Sequence, residues 1–488
     1  MDDIVIKATV AKEIPLTEST SDVINVFYHA LLENDMDVVK DVVVNQKVDI
    51  NLIFKETFSY VQPWHREWGA IHIVTKRAIV ESLKFIIELG ADVNLENKHG
   101  DNALHIASKY GLVDCVEYLL QCNIELKDKQ NIAGLTPLIK AVFKSEHAFR
   151  GQFRKTIQLL LDSGADPNIC PVSGITPLHL AASKADEILI QLLLTHGAKV
   201  NAVCSQGTSP LLKTLLLRHQ KSSCVKILLD AGADVNISTV AGRTALHLAV
   251  AKSENECVLN ILEANANPNA QDKYGKTPLW IAVQENNVQI VELLSKFGGN
   301  VNYQLPIRKL SLLSLAISEG LSDMVCLLLN LGASIFTETV MGATPLYIAV
   351  QTQSMQIIKS LLKANCDLDV VSNARHSLIP QTPIQVAIEI GNLEVIHLLL
   401  CAGCKMKPGW IHPLISPLSA TLPTNLANIQ TYLKDYLSHV RSLKTLCRDS
   451  IRIIMKENIH SKMDALVAET YIPARLADFV LLTDLIQP

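Results

Sequence analysis

Two kinds of apolar run alternate through the middle of the chain. The first is short and follows a Thr-Pro pair or a relative of it, as in Thr176-Pro177-Leu178-His179-Leu180-Ala181. The second is aliphatic and stops at a glycine, as in Ile157-Gln158-Leu159-Leu160-Leu161 before Gly164. Both lengths predict short helices arranged in pairs. Thr at the N-cap accepts hydrogen bonds from exposed helix N–H groups, and Pro follows at the first helical position, where its missing N–H costs nothing. Ala inside the first helix permits close approach of a neighbour. Glycine after the second helix is the residue best able to take the left-handed C′ position. An Asp-Val-Asn step then leads into the turn before the next pair.

The pattern is periodic. Positions equivalent to the capping Thr fall at 102, 136, 176, 209, 244, 277, 311, 344 and 382, most of them 33 to 35 residues apart, with intervals of 40 and 38 where residues are inserted. Gly174-Ile175-Thr176-Pro177-Leu178, Gly275-Lys276-Thr277-Pro278-Leu279 and Gly342-Ala343-Thr344-Pro345-Leu346 carry one signature, and Gly90-Ala91-Asp92-Val93-Asn94 and Gly232-Ala233-Asp234-Val235-Asn236 carry the other. This resembles the ankyrin repeat, for which a 33-residue period with Thr-Pro-Leu-His-x-Ala is specific. About eight units run between Trp68 and Cys404. Residues 310–336 keep the helices but lose Thr-Pro, and residues 21–51 read as an N-terminal cap whose second helix holds Val38-Val39 and Val42-Val43-Val44. Loop insertions are expected at 145–155 and 372–380.

Composition narrows the class. Hydrophobic residues make up 49% of the 488 and aromatics only 5%, so the core is aliphatic and suits helix packed on helix. A net charge of −4 supplies no electrostatic case for nucleic acid or an anionic membrane. There is no signal-peptide core at the N-terminus and no apolar run of 18 residues, so a soluble, cytoplasmic protein is expected, with the nucleus a second compartment. Eleven scattered cysteines read as reduced buried thiols. Cys401-Ala402-Gly403-Cys404 is formally a C-x-x-C, but Gly403-Cys404 falls where other repeats carry Gly-Ala and no second ligand pair stands nearby. His72, His105, His179 and His247 recur at one repeat position, which points to a bond with the adjacent turn rather than to catalysis. No phosphate-cradling loop, nucleophile elbow or zinc spacing is present, so neither an enzyme nor a cofactor is expected. Trp280 and Tyr347 replace that His in two units as packing variants.

After Cys404 the period stops. Residues 405–424 contain Pro408, Pro413, Pro417 and Pro423, too many for a regular helix. Helical pattern resumes at Leu426 and runs through Ile429, Leu433, Tyr436 and Val440. In Ser442-Leu443-Lys444-Thr445-Leu446-Cys447-Arg448-Asp449-Ser450-Ile451, the residues Leu443, Cys447 and Ile451 are spaced i, i+4, i+8 and fall on one helical face. This stretch resembles the elongin-C-binding box of the SOCS-box family. Ile472-Pro473-Ala474-Arg475-Leu476-Ala477-Asp478-Phe479-Val480-Leu481-Leu482 stands in the place of that family's cullin-contacting segment. Nearly all the chain, roughly residues 21–483, is then similar to the ankyrin-repeat and SOCS-box family. The implied organisation is a tail (1–20), an ankyrin array (21–404), a proline-rich linker and helix (405–436) and a three-helix SOCS box (437–488). The implied fold class is all-α, an ankyrin-repeat solenoid followed by that box.

The resemblance implies a non-catalytic substrate receptor of a cullin-RING ubiquitin ligase. Leu443, Leu446, Cys447 and Ile451 would contact elongin-C, which brings elongin-B, while Ile472, Pro473, Leu476 and Phe479 would contact cullin-5 with its RING subunit. The family's cullin segment reads Leu-Pro-x-Pro, whereas the matching residues here are Thr470-Tyr471-Ile472-Pro473, so only the last Pro is kept. The rival reading makes the tail a helical cap on the last repeat and the protein a plain scaffold. The target is expected to bind residues 50–160, where Phe54, Phe58, Tyr60, Trp64 and Trp68 cluster and the insertion holds Phe149, Arg150 and Phe153. Trp64 and Arg150 are the candidate contacts, since aromatics and Arg are common interface anchors. The alternative is that the aromatics plug the open face of the first repeat.

Overall fold

The computed structural model describes residues 18–54, 67–145, 150–217, 222–372 and 381–404, with 428–429, 431–433 and 435. They fall into two compact units, one formed mainly by residues up to 248 and the other mainly by residues from 249 onward. In the first unit the helices are α1 (Glu18–Glu33), α2 (Met36–Val44), α3 (Ala70–Arg77), α4 (Val80–Glu88), α5 (Ala103–Tyr110), α6 (Val113–Cys122), α7 (Pro137–Lys144), α8 (Arg150–Asp162), α9 (Pro177–Ser183), α10 (Glu187–Thr195), α11 (Pro210–Leu215) and α12 (Ser222–Asp230). Helices α3, α5, α7, α9 and α11 pack in one row, and α4, α6, α8, α10 and α12 in a second. Helix α13 (Ala245–Ala251) follows.

The second unit continues with α14 (Asn255–Glu263), α15 (Pro278–Gln284), α16 (Val288–Lys296), α17 (Leu312–Ser318), α18 (Ser322–Asn330), α19 (Pro345–Gln351), α20 (Met355–Lys363), α21 (Pro383–Ile390) and α22 (Leu393–Cys401). Here α15, α17, α19 and α21 form the first row, and α16, α18 and α20 the second. The all-α expectation needs one adjustment. Short antiparallel ribbons occur in two loops: β1 (Ile53–Phe54) with β2 (Trp68–Gly69), and β3 (Gln304–Leu305) with β4 (Leu310–Ser311). They pair backbone groups that the helices leave unsatisfied.

At the Thr-equivalent positions, local chemistry starts most first helices as the sequence implies. Thr136 Oγ1 accepts from Ile139 N–H at 3.3 Å, and Asn102 Oδ1 does the same for His105 at 3.0 Å. In the unit that lacks Thr-Pro, Ser311 Oγ takes over, accepting from Ser314 N–H at 3.1 Å. Gly164 adopts φ +80° after α8. Gly100, at φ +71°, is required for a second reason: a Cβ there would lie 2.7 Å from the backbone N of Ile132 in the next turn.

The Asp-Val-Asn step acts between repeats. The Asn201 amide donates to Gly232 O at 3.1 Å and its oxygen accepts from Asp234 N–H at 2.8 Å. Asn168 bridges to Gly197 and Lys199 in the same way, as do Asn269 to Gly298 and Asn300, and Asn302 to Gly332 and Ser334. Each Asn therefore ties one turn to the end of the next helix pair. Replacing Asn201 by Ala is expected to lower stability by about 1 kcal/mol, since water can reach the exposed partners it abandons. Urea unfolding checks this, and an unchanged midpoint would show that the bridge adds nothing.

The insertion at 145–155 is not wholly a loop. Helix α8 begins at Arg150 and is 13 residues long, against nine for α10. The added turn is held because Phe153 is buried beneath Gly111, where a Cβ would come within 3.3 Å of its ring. Arg154 adds an ion pair to Asp186 at 3.2 Å. Residues 146–149 and 373–380, the rest of the expected insertions, lie outside the described residues.

Candidate protein-binding surface

The recurrent histidines are structural. His72, His105, His179 and His247 are all buried. His72 Nδ1 accepts from Gly69 N–H at 3.0 Å, and its Nε2 lies 3.0 Å from the carbonyls of Leu95 and Asp101 in the next turn, which only an Nε2–H can serve. His105 Nε2 donates to Leu135 O and His179 Nε2 to Thr208 O, each at 3.0 Å. Burial lowers the pKa of His72 and of His105 to about 4 and also lowers that of His179. These imidazoles are neutral at pH 7: in His72, His105 and His179 the Nδ1 accepts from the cap N–H of its own helix and the Nε2 joins it to the next repeat. Trp280 and Tyr347 fill the same position and are likewise buried.

The aromatic cluster of the first repeats divides. Phe54 is fully buried, 5.2 Å from Tyr28 and 6.0 Å from Phe27 between ring centres. Trp68 is also buried, 6.0 Å from the His72 ring, with Lys76 Nζ 5.5 Å from its centre. Both close the start of the array, and Phe153 is likewise core, so none of the three presents a binding surface. Trp64, Phe58 and Tyr60 lie outside the described residues. Arg150 opens α8, and its side chain lies outside what is described.

What the structure does present is a groove that the sequence reading missed. It lies on the first-helix row of the first unit, about 440 Å³ in volume, floored by Leu135, Ile139, Phe143, Pro171, Ile175 and Leu180. Phe143 is 57% exposed, unusual for an aromatic in a helix whose other apolar residues are buried. Lys109, Lys140 and Lys144 also line it. Lys184 Nζ donates to the carbonyls of Val142 and Phe143 at 2.7 Å each, holding the end of α7 in place, and Lys144 and Lys184 stand 5.6 and 6.0 Å from the Phe143 ring centre. Lys140 is itself ion-paired with Asp101. One signal was legible: Phe143 stands seven residues after its capping Thr, where most other repeats place a small or polar residue such as Lys109, Ser183, Gln284 or Gln351, Leu216 being the exception.

In the second unit, Cys404 is buried, its Sγ 3.4 Å from Asp369 Oδ1, and burial first, then nearby Asp369, raises its pKa well above the ordinary thiol range. It is an inert protonated thiol, while Cys401 is exposed. Among the described residues no group of three or more His, Cys, Asp or Glu is placed to hold a metal ion. No described helix is long and apolar enough to cross a membrane. Past the array, Ile429 and Leu433 are fully buried, and Tyr432 lies 6.1 Å from the His397 ring on α22. The elongin-C set (Leu443, Leu446, Cys447, Ile451) and the cullin set (Ile472, Pro473, Leu476, Phe479) lie outside the described residues.

Paired short helices, capped at Thr-Pro in several repeats and bridged by Asn in several, agree with the family comparison. The description "Ankyrin repeats (3 copies)" matches residues 27–130, 71–169, 145–239, 216–305 and 313–408, well over half the chain. The chain belongs to the ankyrin-repeat family. It is similar to the nuclear factor NF-kappa-B p105 subunit of Gallus gallus, 30% identical over 165 residues, covering 32% of this chain and 16% of that protein. It is also similar to the B-cell lymphoma 3 protein homolog of Mus musculus, 30% identical over 189 residues, covering 37% of this chain and 39% of the relative. Ankyrin repeat and SOCS box protein 16 of Homo sapiens is 34% identical over 125 residues, covering 25% and 27%. The chain thus spans well under two thirds of each of these relatives. Ankyrin-repeat proteins are in general non-catalytic interaction scaffolds, and the array is a protein-binding element.

Proposed function

We propose that the protein is a substrate-recognition adaptor of an elongin-B/C–cullin-5–RING ubiquitin ligase. The array would hold a target protein, with Trp64 and Arg150 among its contacts, and the SOCS-box-like tail would tether it to the ligase. The observation that carries this reading is the Leu443, Cys447, Ile451 stripe, C-terminal to an ankyrin array. The similarity to a human ankyrin repeat and SOCS box protein supports it from a second direction. In this role the chain performs no chemistry: a tethered target experiences a raised effective concentration of the ubiquitin-charged enzyme. The elongin contact is the firmer half, because Thr470-Tyr471-Ile472-Pro473 keeps only one proline of the cullin motif. The compartment proposed is the cytoplasm, with the nucleus second.

The rival is a scaffold whose last helices only cap the stack. The buried Ile429 and Leu433 and the Tyr432–His397 contact favour a capping role for these three residues. The two readings are compatible, since all three precede Leu443. Co-purification separates them: the full chain is expected to retain elongin-B/C through gel filtration, and a variant ending at 436 to lose it. A full chain that recovers no elongin-B/C would reject the ligase role.

A further inference from the structure

The two units differ sharply in the charge of their first-helix rows. In the first unit, α3, α5, α7, α9 and α11 contain no Asp or Glu, yet carry Lys76, Arg77, Lys109, Lys140, Lys144 and Lys213. In the second, α15, α17, α19 and α21 contain no Lys or Arg and one acid, Glu389. A chain of net charge −4 therefore gathers positive charge along one stacked face. The lysines are close enough to oppose one another. Burial, then the charge of Lys109, lowers the pKa of Lys76; burial also lowers that of Lys140, against the pull of Asp101, and Lys109 adds to the lowering. Asp101, bonded to Lys140 and to the Asn131 amide, is the acid set against this row. At the hairpin end, Lys98 and His99 extend the surface in a second hollow shared with Lys109 and Lys140.

Like charges assembled at a partly dehydrated surface are relieved by an anionic occupant. The apolar floor beside them decides what kind. Leu135, Ile139, Pro171, Ile175 and the exposed Phe143 offer no partner to a phosphate backbone but would bury an aliphatic or aromatic side chain. We infer that the first-helix face of α3 to α9 binds an acidic segment of a partner protein, with an apolar side chain seated against Phe143 and carboxylates set on Lys76, Lys109 and Lys144. This rests on the array's role in holding a target and is independent of the tail.

The test selects binders from a random 12-residue displayed peptide library on the full chain. Enriched peptides are expected to be acidic with one or two large apolar residues. A labelled winner should bind about tenfold more weakly to Phe143→Ser and to Lys109→Glu/Lys144→Glu, and more weakly as salt is raised. Circular dichroism confirms folding, and Lys109→Gln serves if the charge reversal does not fold. No enrichment, neutral or basic winners, winners indifferent to these substitutions, or displacement by polyuridine as effective as by the unlabelled peptide would each overturn the inference. Elongin-B/C capture is scored on the same preparations. Its loss with peptide binding intact rejects only the ligase tether, and the converse rejects only this surface.

Discussion

Between pH 7 and pH 5 the first unit is expected to lose about 4 kcal/mol of stability, with His72 and His105 as the source. Each has an ordinary pKa of 6.5, lowered in the fold to about 4 by burial. Between those values the unfolded chain takes up a proton that the folded imidazole refuses. The contribution of each is thus fully present above about pH 6.5 and disappears as the pH falls toward 4, about 2 kcal/mol each by pH 5. Carboxylates act in a lower window. Asp101, whose pKa Lys140 holds down despite burial, adds its loss only below the usual carboxylate range. Urea midpoints across pH 5 to 7, read by circular dichroism, check the prediction. His105→Gln should be less stable at pH 7 yet lose its own share of the pH dependence, about 2 kcal/mol, while His72 and His179 keep theirs. Gln is apt because Gln385 already occupies the equivalent place in α21, accepting from Thr382 N–H at 2.8 Å. If His105→Gln shows the wild-type pH dependence, the buried imidazoles are not its origin.

Leu443→Pro and Cys447→Phe are each expected to weaken elongin-B/C binding by about 10- to 100-fold. If the stripe lies on the helix its spacing predicts, proline would remove a helical donor and clash with the preceding turn, besides deleting the anchor. Burying one Leu is worth about 1.5–3 kcal/mol, which sets the scale of the loss. Phenylalanine at 447 would overfill a pocket shaped for a small side chain. Calorimetric titration of purified elongin-B/C into each variant measures both. Because the stripe lies C-terminal to the array, the melting temperature of the repeats should not change, which separates lost binding from lost folding. Wild-type affinity in both variants would remove the basis of the SOCS-box assignment.

The histidine series shows how far local pattern reaches. A side chain that recurs once per repeat, three residues after a helix cap, can only address the adjoining turn, and its partners could be foreseen from spacing. The aromatic cluster shows where that logic ends. Phe54, Trp68 and Phe153 differ little in sequence from residues that contact a partner, but their burial depends on α1, on β1 and on the bare backbone at Gly111.

By itself, the sequence determined the helix pairs, most of their caps, the repeat length and the ankyrin-repeat family, because each rests on contacts within about four residues or on near repetition of them. Only the tertiary structure decided which apolar residues face solvent, that Asn201 and its equivalents bridge to glycine carbonyls one repeat away, and that six basic residues from four helices lie in one row whose helices carry no acid, with Asp101 of a neighbouring turn set against it. Those features join residues about a repeat or more apart in the chain, and burial and electrostatics act on distance in space, which stacking sets.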